Sequence, residues 1–248
     1  MNEKLKLIYI LPNLFTAASI FLGVLSMLAS IRSDFNLAII YIIASLIFDG
    51  LDGRVARLTN TSSKFGVEFD SLADIVAFGV APAVLFYFSI GNTFGRIGVL
   101  VTALFVIFGA VRLARFNIMS PTSEPNVFIG MPIPTAAVIL ALWIGLYEKY
   151  EIFKDFKLCL VVFAAVLSVL MVSNVRFPSF KKFNLEKANF IKFLIILVLM
   201  LSLIFIYPLE ASACFITLYV LYGLVRGIWA RFFAKKIKLK NEGKNSLN

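Results

Sequence analysis

Eight long apolar segments dominate this sequence and restrict its fold more than any other feature. Most of them approach the ~20 residues that an α-helix needs to cross the hydrocarbon core of a bilayer. Hydrophobic residues make up 60% of the chain and charged residues only 15%, which is less charge than a soluble domain carries. We therefore predict an all-α, polytopic membrane bundle of about eight transmembrane helices. The approximate bounds of the segments are 8–30, 36–53, 66–90, 96–116, 132–147, 157–173, 190–207 and 211–232.

The two ends of the chain are interpreted from length and charge. Residues 7–30 follow two lysines, as the core of a secretory signal would. The stretch is longer than the ~7–15 apolar residues of a signal peptide, so we assign it to the first span. We predict a single transmembrane domain over residues 1–233 and a lysine-rich cytoplasmic tail over residues 234–248.

The basic residues predict the orientation of the chain. With eight spans, both termini lie on one side of the membrane, and that side carries 19 of the 24 lysines and arginines. Because cytoplasmic loops hold the excess of positive charge, we predict that both termini are cytoplasmic. Orientation and anionic headgroups then explain the net charge of +10, without a nucleic-acid partner. The remaining basic residues are Arg32, Arg96, Lys149, Lys154 and Lys157.

The residue types that are absent or isolated exclude several kinds of chemistry. The chain contains no histidine, which excludes His-based acid–base catalysis, Ser-His and Cys-His nucleophile pairs and His-ligated zinc. The two cysteines, Cys159 and Cys214, lie in separate predicted spans without the spacing of a metal site. We interpret both as small apolar residues.

Four aspartates, Asp49, Asp52, Asp70 and Asp74, lie in some of the most apolar sequence of the chain. A carboxylate inside a membrane span costs roughly 2.5–3.5 kcal/mol on insertion scales, so four together need a compensating partner. The first two are i, i+3 neighbours and the last two are i, i+4 neighbours, so each pair shares a helix face. The turn between the two helices is cytoplasmic by the charge count. We therefore expect a polar pocket that opens to the cytoplasm but lies below the headgroups.

Four carboxylates suit hard cations such as Mg²⁺ or Mn²⁺ and could hold two ions. Paired metals serve phosphoryl transfer because they neutralise phosphate oxygens and orient attack and departure. Residues near the aspartates suit phosphate contact: Gly53 and Gly66 permit close approach of the backbone, Arg57 offers a guanidinium, and Ser63 offers a hydroxyl.

The aspartates have two other interpretations, as a brace between helices or as ion ligands of a transporter. Pairing with Arg54 and Arg57 could merely brace the helices, but four carboxylates with two glycines at this spacing are hard to explain in that way. A membrane cation transporter could also use aspartates as ion ligands. A transporter predicts acidic residues throughout the membrane depth, whereas these cluster on the cytoplasmic half.

The aspartates belong to a longer pattern that resembles the signature of the CDP-alcohol phosphotransferase family at every defined position. The resemblance implies a membrane enzyme with a six-helix core, to which this chain adds two helices, and makes the domain over residues 1–233 catalytic. It also implies cleavage of a CDP-linked donor, release of CMP and transfer of a phosphatidyl-type group to an alcohol. The pattern is Asp49-x-x-Asp52-Gly53-x-x-Ala56-Arg57-x(8)-Gly66-x(3)-Asp70-x(3)-Asp74.

The same resemblance implies roles for individual residues. The four aspartates would hold a divalent metal, Mg²⁺ or Mn²⁺, as two ions, and Asp74 would also be the catalytic general base. Asn13 and Thr16, near the start of the first span, either set the start of the helix or contact the CDP. The residues expected to contact the CDP are Gly53, Arg57, Ser63 and Gly66, together with Asn13 and Thr16.

Further stretches, at 12–16, 71–82, 109–117 and 130–137, resemble the phosphatidylserine synthase branch of the family. This branch implies CDP-diacylglycerol and L-serine as substrates, a homodimer, and a multi-pass location in the cytoplasmic membrane. Another acceptor, glycerol 3-phosphate or inositol phosphate, is the alternative. A serine carboxylate needs a donor, so Arg112, Arg115 and Asn117 are candidates for acceptor or phosphate binding. Positive-inside anchoring is the other explanation of the two arginines.

Overall fold

The computed structural model describes residues 3–59, 61, 63–119, 127–178 and 187–245. Side chains are described for residues 10–59, 61, 63–118, 129–175, 191–227 and 229. The chain divides into two compact units, one of Met1–Ser120 with Pro132–Val172 and one of Pro121–Met131 with Ser173–Asn248. The helices of the first unit are α1 (Glu3–Ile31), α2 (Phe35–Leu58), α3 (Lys64–Asp74), α4 (Ala81–Ser89), α5 (Arg96–Met119), α6 (Ile133–Lys149) and α7 (Lys157–Val172).

Helices α1 and α2 form an antiparallel pair in the first unit, joined by a short turn. Asp34 caps α2, since its side chain accepts a hydrogen bond from the backbone N–H of Leu37 at 3.2 Å. Between the helices, the Ser19 and Ser45 hydroxyls are 2.7 Å apart. Such polar contacts hold apolar helices together in a membrane, where burial of apolar side chains gives little driving force.

A π-helical turn, Ile75–Val80, connects α3 to α4 and makes one continuous helical span of Lys64–Ser89. The backbone N–H of Ala81 donates to the carbonyl of Val76, five residues earlier. Pro82 follows this bond; proline has no N–H to donate, and its ring clashes with a carbonyl four residues earlier in a regular α-helix. The wider turn therefore precedes the proline, and Ala77, Phe78 and Gly79 within it are buried.

The second unit contains two short strands, β1 (Val127–Ile129) and β2 (Arg176–Pro178), and two helices, α8 (Lys187–Ile206) and α9 (Pro208–Asn245). The strands pair in antiparallel fashion, with Phe128 opposite Phe177. Almost all described side chains of α8 are exposed and apolar, as suits a helix surrounded by lipid.

The all-helical prediction is confirmed, with only the two three-residue strands outside it among the described residues. Within the described ranges, six helices are long and apolar enough to cross a membrane, as expected of a multi-pass membrane protein. Two more of the predicted spans are helical but shorter, namely α6 with 17 residues and the apolar part of α8, Ile191–Ile206. The predicted count of eight spans thus stays a prediction. Helix α9 continues to Asn245 through the predicted tail, whose side chains lie outside the described residues.

Candidate active site

The four aspartates lie on both sides of the turn that joins α2 to α3. Helix α2 ends at Leu58, where the N–H of Thr59 donates to the carbonyl of Val55 at 2.9 Å. Helix α3 begins after Ser63, whose Oγ accepts a hydrogen bond from the N–H of Gly66 at 3.0 Å. This cap fixes the start of the helix that carries Asp70 and Asp74.

Three of the carboxylates meet at one point. Asp49 from α2 and Asp70 and Asp74 from α3 each offer an oxygen, and these oxygens lie within 4.8 Å of one another. The carboxyl groups of Asp49 and Asp74 are close enough to share a hydrogen bond. Charged carboxylates at this separation repel one another, so a cation or a shared proton must stabilise them.

The carboxylate oxygens of the cluster suit a hard cation. The Oδ1 atom of Asp74 is buried, and among the described residues it has no hydrogen-bond partner. A buried acceptor without a partner is rare and costs free energy. Carboxylate oxygens are the ligands that Mg²⁺ and Mn²⁺ prefer, so the donor set fits such an ion.

Asp52 is held differently from the other three aspartates. Its Oδ2 accepts a hydrogen bond of 2.7 Å from the Thr16 hydroxyl of α1. Both Thr16 and Asp52 are buried, with 3% and 6% of their surfaces exposed. The spacing of Asp49 and Asp52 in sequence predicted a shared helix face but not the hydrogen bond of Asp52 with Thr16.

A cleft of about 220 Å³ lies beside the aspartates, between α1, α2 and α3. All six side chains or glycines that we expected to contact the CDP line it, and Asp52 and Asp70 form part of its wall. Thr61 also lines the cleft, although the sequence did not predict it. It lies in the polar turn, and its hydroxyl is 2.7 Å from that of Thr59. The complete lining is Pro12, Asn13, Thr16, Asp52, Gly53, Ala56, Arg57, Thr61, Ser63, Gly66, Val67 and Asp70.

Gly66 lies at a crowded position in the wall of this cleft. A Cβ atom at this position would lie 3.2 Å from Ser63 Oγ and 3.5 Å from Asn13 Oδ1. The absence of a side chain therefore leaves room between the cap of α3 and the start of α1. By contrast, a Cβ atom at Gly50 on α2 would meet nothing within 4 Å.

The three candidate acceptor residues of α5 have different surroundings. Arg112 is buried, lies near enough to Asp74 for an electrostatic interaction, and its Cζ is 5.2 Å from the ring centroid of Phe116. Arg115 Nη1 donates to the carbonyl of Val172 at the end of α7, at 3.3 Å. Asn117 Nδ2 donates to Ser71 Oγ at 2.9 Å. The structure thus brings Arg112 to the aspartates, while the described contacts of Arg115 and Asn117 join helices.

The bracing explanation of the aspartates finds no support in the described residues. Neither Arg54 nor Arg57 forms an ion pair with any of the four carboxylates there, and both arginines are exposed. Arg57 instead lines the cleft, near enough to Asp52 to interact electrostatically. The sequence did not predict that Ser71 accepts a hydrogen bond from Asn117, because the two residues are distant in sequence.

The family assignment rests on the part of the chain that holds this site. The sequence model of the CDP-alcohol phosphatidyltransferase family matches residues 9–175. The chain belongs to this family. The resemblance inferred from the aspartate pattern is thereby confirmed, and the matched range includes the aspartates, the cleft and α5.

Individual relatives agree with the branch expected from sequence. A CDP-diacylglycerol–serine O-phosphatidyltransferase of Helicobacter pylori is 53% identical over 236 residues, covering 95% of this chain and 97% of the relative. A protein of the same name from Methanocaldococcus jannaschii is 34% identical over 82% of this chain and 88% of its own length. An archaetidylserine synthase of Methanothermobacter thermautotrophicus is 38% identical over 72% of this chain and 74% of its own.

Proposed function

We propose that this protein transfers the phosphatidyl group of CDP-diacylglycerol to L-serine, giving phosphatidylserine and CMP. The observation that carries the proposal is the three-carboxylate cluster beside the cleft lined by the expected nucleotide residues, with an Asp74 oxygen that has no hydrogen-bond partner in the described part of the chain. The relative with 53% identity over nearly the whole chain supports serine as the acceptor. The acceptor is also supported by the archaetidylserine synthase, whose name shares serine while the lipid differs.

The reaction breaks a phosphoanhydride bond and forms a phosphoester bond. The serine oxygen forms a bond to the phosphorus that carries diacylglycerol, and the bond from that phosphorus to the CMP oxygen breaks. Asp74 would accept the proton of the serine hydroxyl, because its Oδ1 is buried and has no hydrogen-bond partner among the described residues. Arg112 would bind the serine carboxylate or a donor phosphate with its planar guanidinium.

The aspartates would also hold the metal, proposed as two ions of Mg²⁺ or Mn²⁺. Such ions supply charge neutralisation for the diphosphate and the departing CMP. Asp49, Asp70 and Asp74 offer one group of ligand oxygens, and Asp52 on the cleft wall offers another. Arg57, Ser63 and Gly66 would contact the CDP part, with Asn13 and Thr16 at the far wall.

We also propose the arrangement of the protein in the cell. The chain would cross the cytoplasmic membrane eight times as one catalytic domain over residues 1–233, with both termini and the active site facing the cytoplasm. The positive charge of the loops on that side supports this orientation. A homodimer is proposed from family resemblance alone. Thiol labelling from outside intact cells, with single cysteines at Arg32 and Lys157 in a background lacking Cys159 and Cys214, should label both positions.

An acceptor screen tests the reaction most directly. Purified protein with labelled CDP-diacylglycerol should release CMP rapidly with L-serine and slowly with glycerol 3-phosphate or inositol phosphate. Faster release with a phosphate acceptor would replace serine by that acceptor. No CMP release with any alcohol, together with metal-ion flux into vesicles, would favour a cation transporter. Excess chelator should stop CMP release, and Mn²⁺ or Mg²⁺ should restore it; full activity in chelator with no bound metal would contradict the metal proposal.

A further inference from the structure

We propose that Thr16 is a positioning residue, whose hydroxyl fixes the carboxylate of Asp52 in the orientation that binds the metal. This inference rests on the metal site of the proposed function. It differs from the nucleotide contact expected from sequence, since it assigns the hydroxyl proton to a protein carboxylate. If Thr16 orients Asp52, its loss should weaken metal binding; if Thr16 contacts the nucleotide, its loss should weaken binding of CDP-diacylglycerol.

The hydrogen bond joins two helices at a buried place. Thr16 lies on α1 and Asp52 on α2, and 36 residues separate them in sequence. The donor–acceptor distance of 2.7 Å is short for a hydroxyl, as expected when the acceptor is a carboxylate. With both side chains buried, water has little access to replace the bond.

The hydroxyl of Thr16 has only one proton to donate. Two acceptors are within reach, the carboxylate of Asp52 at 2.7 Å and the carbonyl of Pro12 at 3.2 Å. The shorter contact and the negative charge favour Asp52. A phosphate or cytosine acceptor in the cleft would have to compete with this carboxylate for the proton, so Thr16 is poorly suited to donate to the nucleotide.

The bond has a direct consequence for the metal ligands. Rotation about the terminal torsion of an aspartate side chain is soft, so a free carboxylate samples many orientations. The hydroxyl of Thr16 fixes the carboxylate of Asp52, which lies apart from the three-carboxylate cluster. Hydrogen-bond partners that orient a metal ligand typically change metal affinity by about 10–100-fold.

Three variants separate this role from a general effect on helix packing. Thr16→Val keeps the β-branched shape and removes the hydroxyl, while Thr16→Ser keeps the hydroxyl. Ser19→Ala is the matched control, because it removes another buried hydroxyl contact between α1 and α2. Ser45 remains satisfied in that control, since it also donates to the backbone carbonyl of Ser19 at 3.0 Å.

The experiment measures Mn²⁺ binding to purified protein without substrate, from the electron paramagnetic resonance signal of free Mn²⁺. Thr16→Val should weaken binding by about tenfold or more, as loss of an orienting partner does. Thr16→Ser and Ser19→Ala should bind Mn²⁺ like the unchanged protein. The KM for CDP-diacylglycerol at saturating Mn²⁺ and the thermal unfolding midpoint are measured on the same samples.

Two results would overturn the inference. If Thr16→Val binds Mn²⁺ normally but has a raised KM for CDP-diacylglycerol, Thr16 is a nucleotide contact. If it binds Mn²⁺ normally and only the unfolding midpoint falls, the bond merely joins α1 to α2. A protein with Thr16 intact that binds no Mn²⁺ would instead refute the metal site of the proposed function, which is a separate failure.

Discussion

Two cavities in the first unit differ in the chemistry of the side chains that line them. The cleft beside the aspartates measures about 220 Å³ and contains carboxylates, hydroxyls and a guanidinium. A larger cavity of about 350 Å³, at the α6–α7 connection, is lined by five aromatic side chains with Cys159 and Leu160. The aromatic residues are Trp143, Tyr147, Phe153, Phe156 and Phe163.

The lining residues, and not the volume, make the smaller cleft the candidate active site. The rings around the larger cavity contact one another, with Trp143 centred 5.8 Å from Phe163 and 6.2 Å from Phe153. Such contacts stabilise packing but offer nothing that could neutralise a diphosphate or accept a proton. The smaller cleft combines buried acceptors with glycines, which is what polar chemistry in a membrane requires.

Replacement of Asp74 by Asn, beside the polar cleft, should reduce activity more than any other substitution proposed for the two cavities. The amide keeps the shape but cannot accept the serine proton, so the transfer rate should fall by about 10²–10⁴-fold. Binding of CDP-diacylglycerol, measured by displacement of labelled substrate, should change little. Turnover close to that of the unchanged protein would remove Asp74 as the general base.

The paired variants Arg112→Lys and Arg115→Lys should give the next largest effect. Lysine keeps the charge but loses the planar fork. Because Arg112 faces Asp74, we expect its variant to raise the KM for serine by about tenfold, or about 1.4 kcal/mol. Arg115→Lys should leave both KM values near normal and lower the unfolding midpoint, since Arg115 donates to Val172. A larger rise in the KM for CDP-diacylglycerol would assign Arg112 to a donor phosphate.

Gly66→Ala should have a smaller effect, confined to the donor. Its Cβ would press on Ser63 Oγ at 3.2 Å, so the KM for CDP-diacylglycerol should rise about fivefold, or about 1 kcal/mol. Gly50→Ala is the control, because its Cβ meets nothing and alanine favours a helix by up to about 1 kcal/mol. Equal kinetics in the two variants would show that the nucleotide does not use the space at Gly66.

Phe163→Leu, in the aromatic cavity, should have the smallest effect on catalysis. Loss of its contact with Trp143 should cost about 0.5–1.5 kcal/mol of stability and lower the unfolding midpoint. Turnover at a temperature where the protein is folded should stay within about twofold, a change of less than about 0.5 kcal/mol. A selective loss of serine transfer would mean that this cavity also takes part in function.

The sequence predicted that aspartates of α2 and α3 lie close together, because local periodicity was sufficient for this. The i, i+4 spacing of Asp70 and Asp74 placed both on one helix face, and the charged turn placed them near the residues of α2. The signature also predicted which residues would line the cleft. These features depend on residues close together in sequence or on a strongly constrained pattern.

Contacts between distant helices could not be predicted in the same way. The bond of Thr16 with Asp52 and that of Asn117 with Ser71 depend on the rotation of whole helices about their axes. The π-helical turn left a weak signal, because Pro82 within an apolar run indicates a local irregularity. Hydropathy gave the approximate bounds of the helices but could not decide whether the 17 residues of α6 span a membrane.

The π-helical turn also has a consequence for how this enzyme could change by insertion or deletion. One residue occupies about 100° of an α-helix, and this turn already holds one residue more than an α-helical turn, so insertion of a further residue into Ile75–Val80 would rotate the aspartate half of the span by that angle against its core half. Phe78, Leu85 and Phe86 could keep their buried positions only if Asp70 and Asp74 turned away from Asp49. Insertion of a residue in this segment should therefore abolish activity, whereas removal of one residue should convert the wide turn to an α-helical turn and keep the two halves of the span aligned.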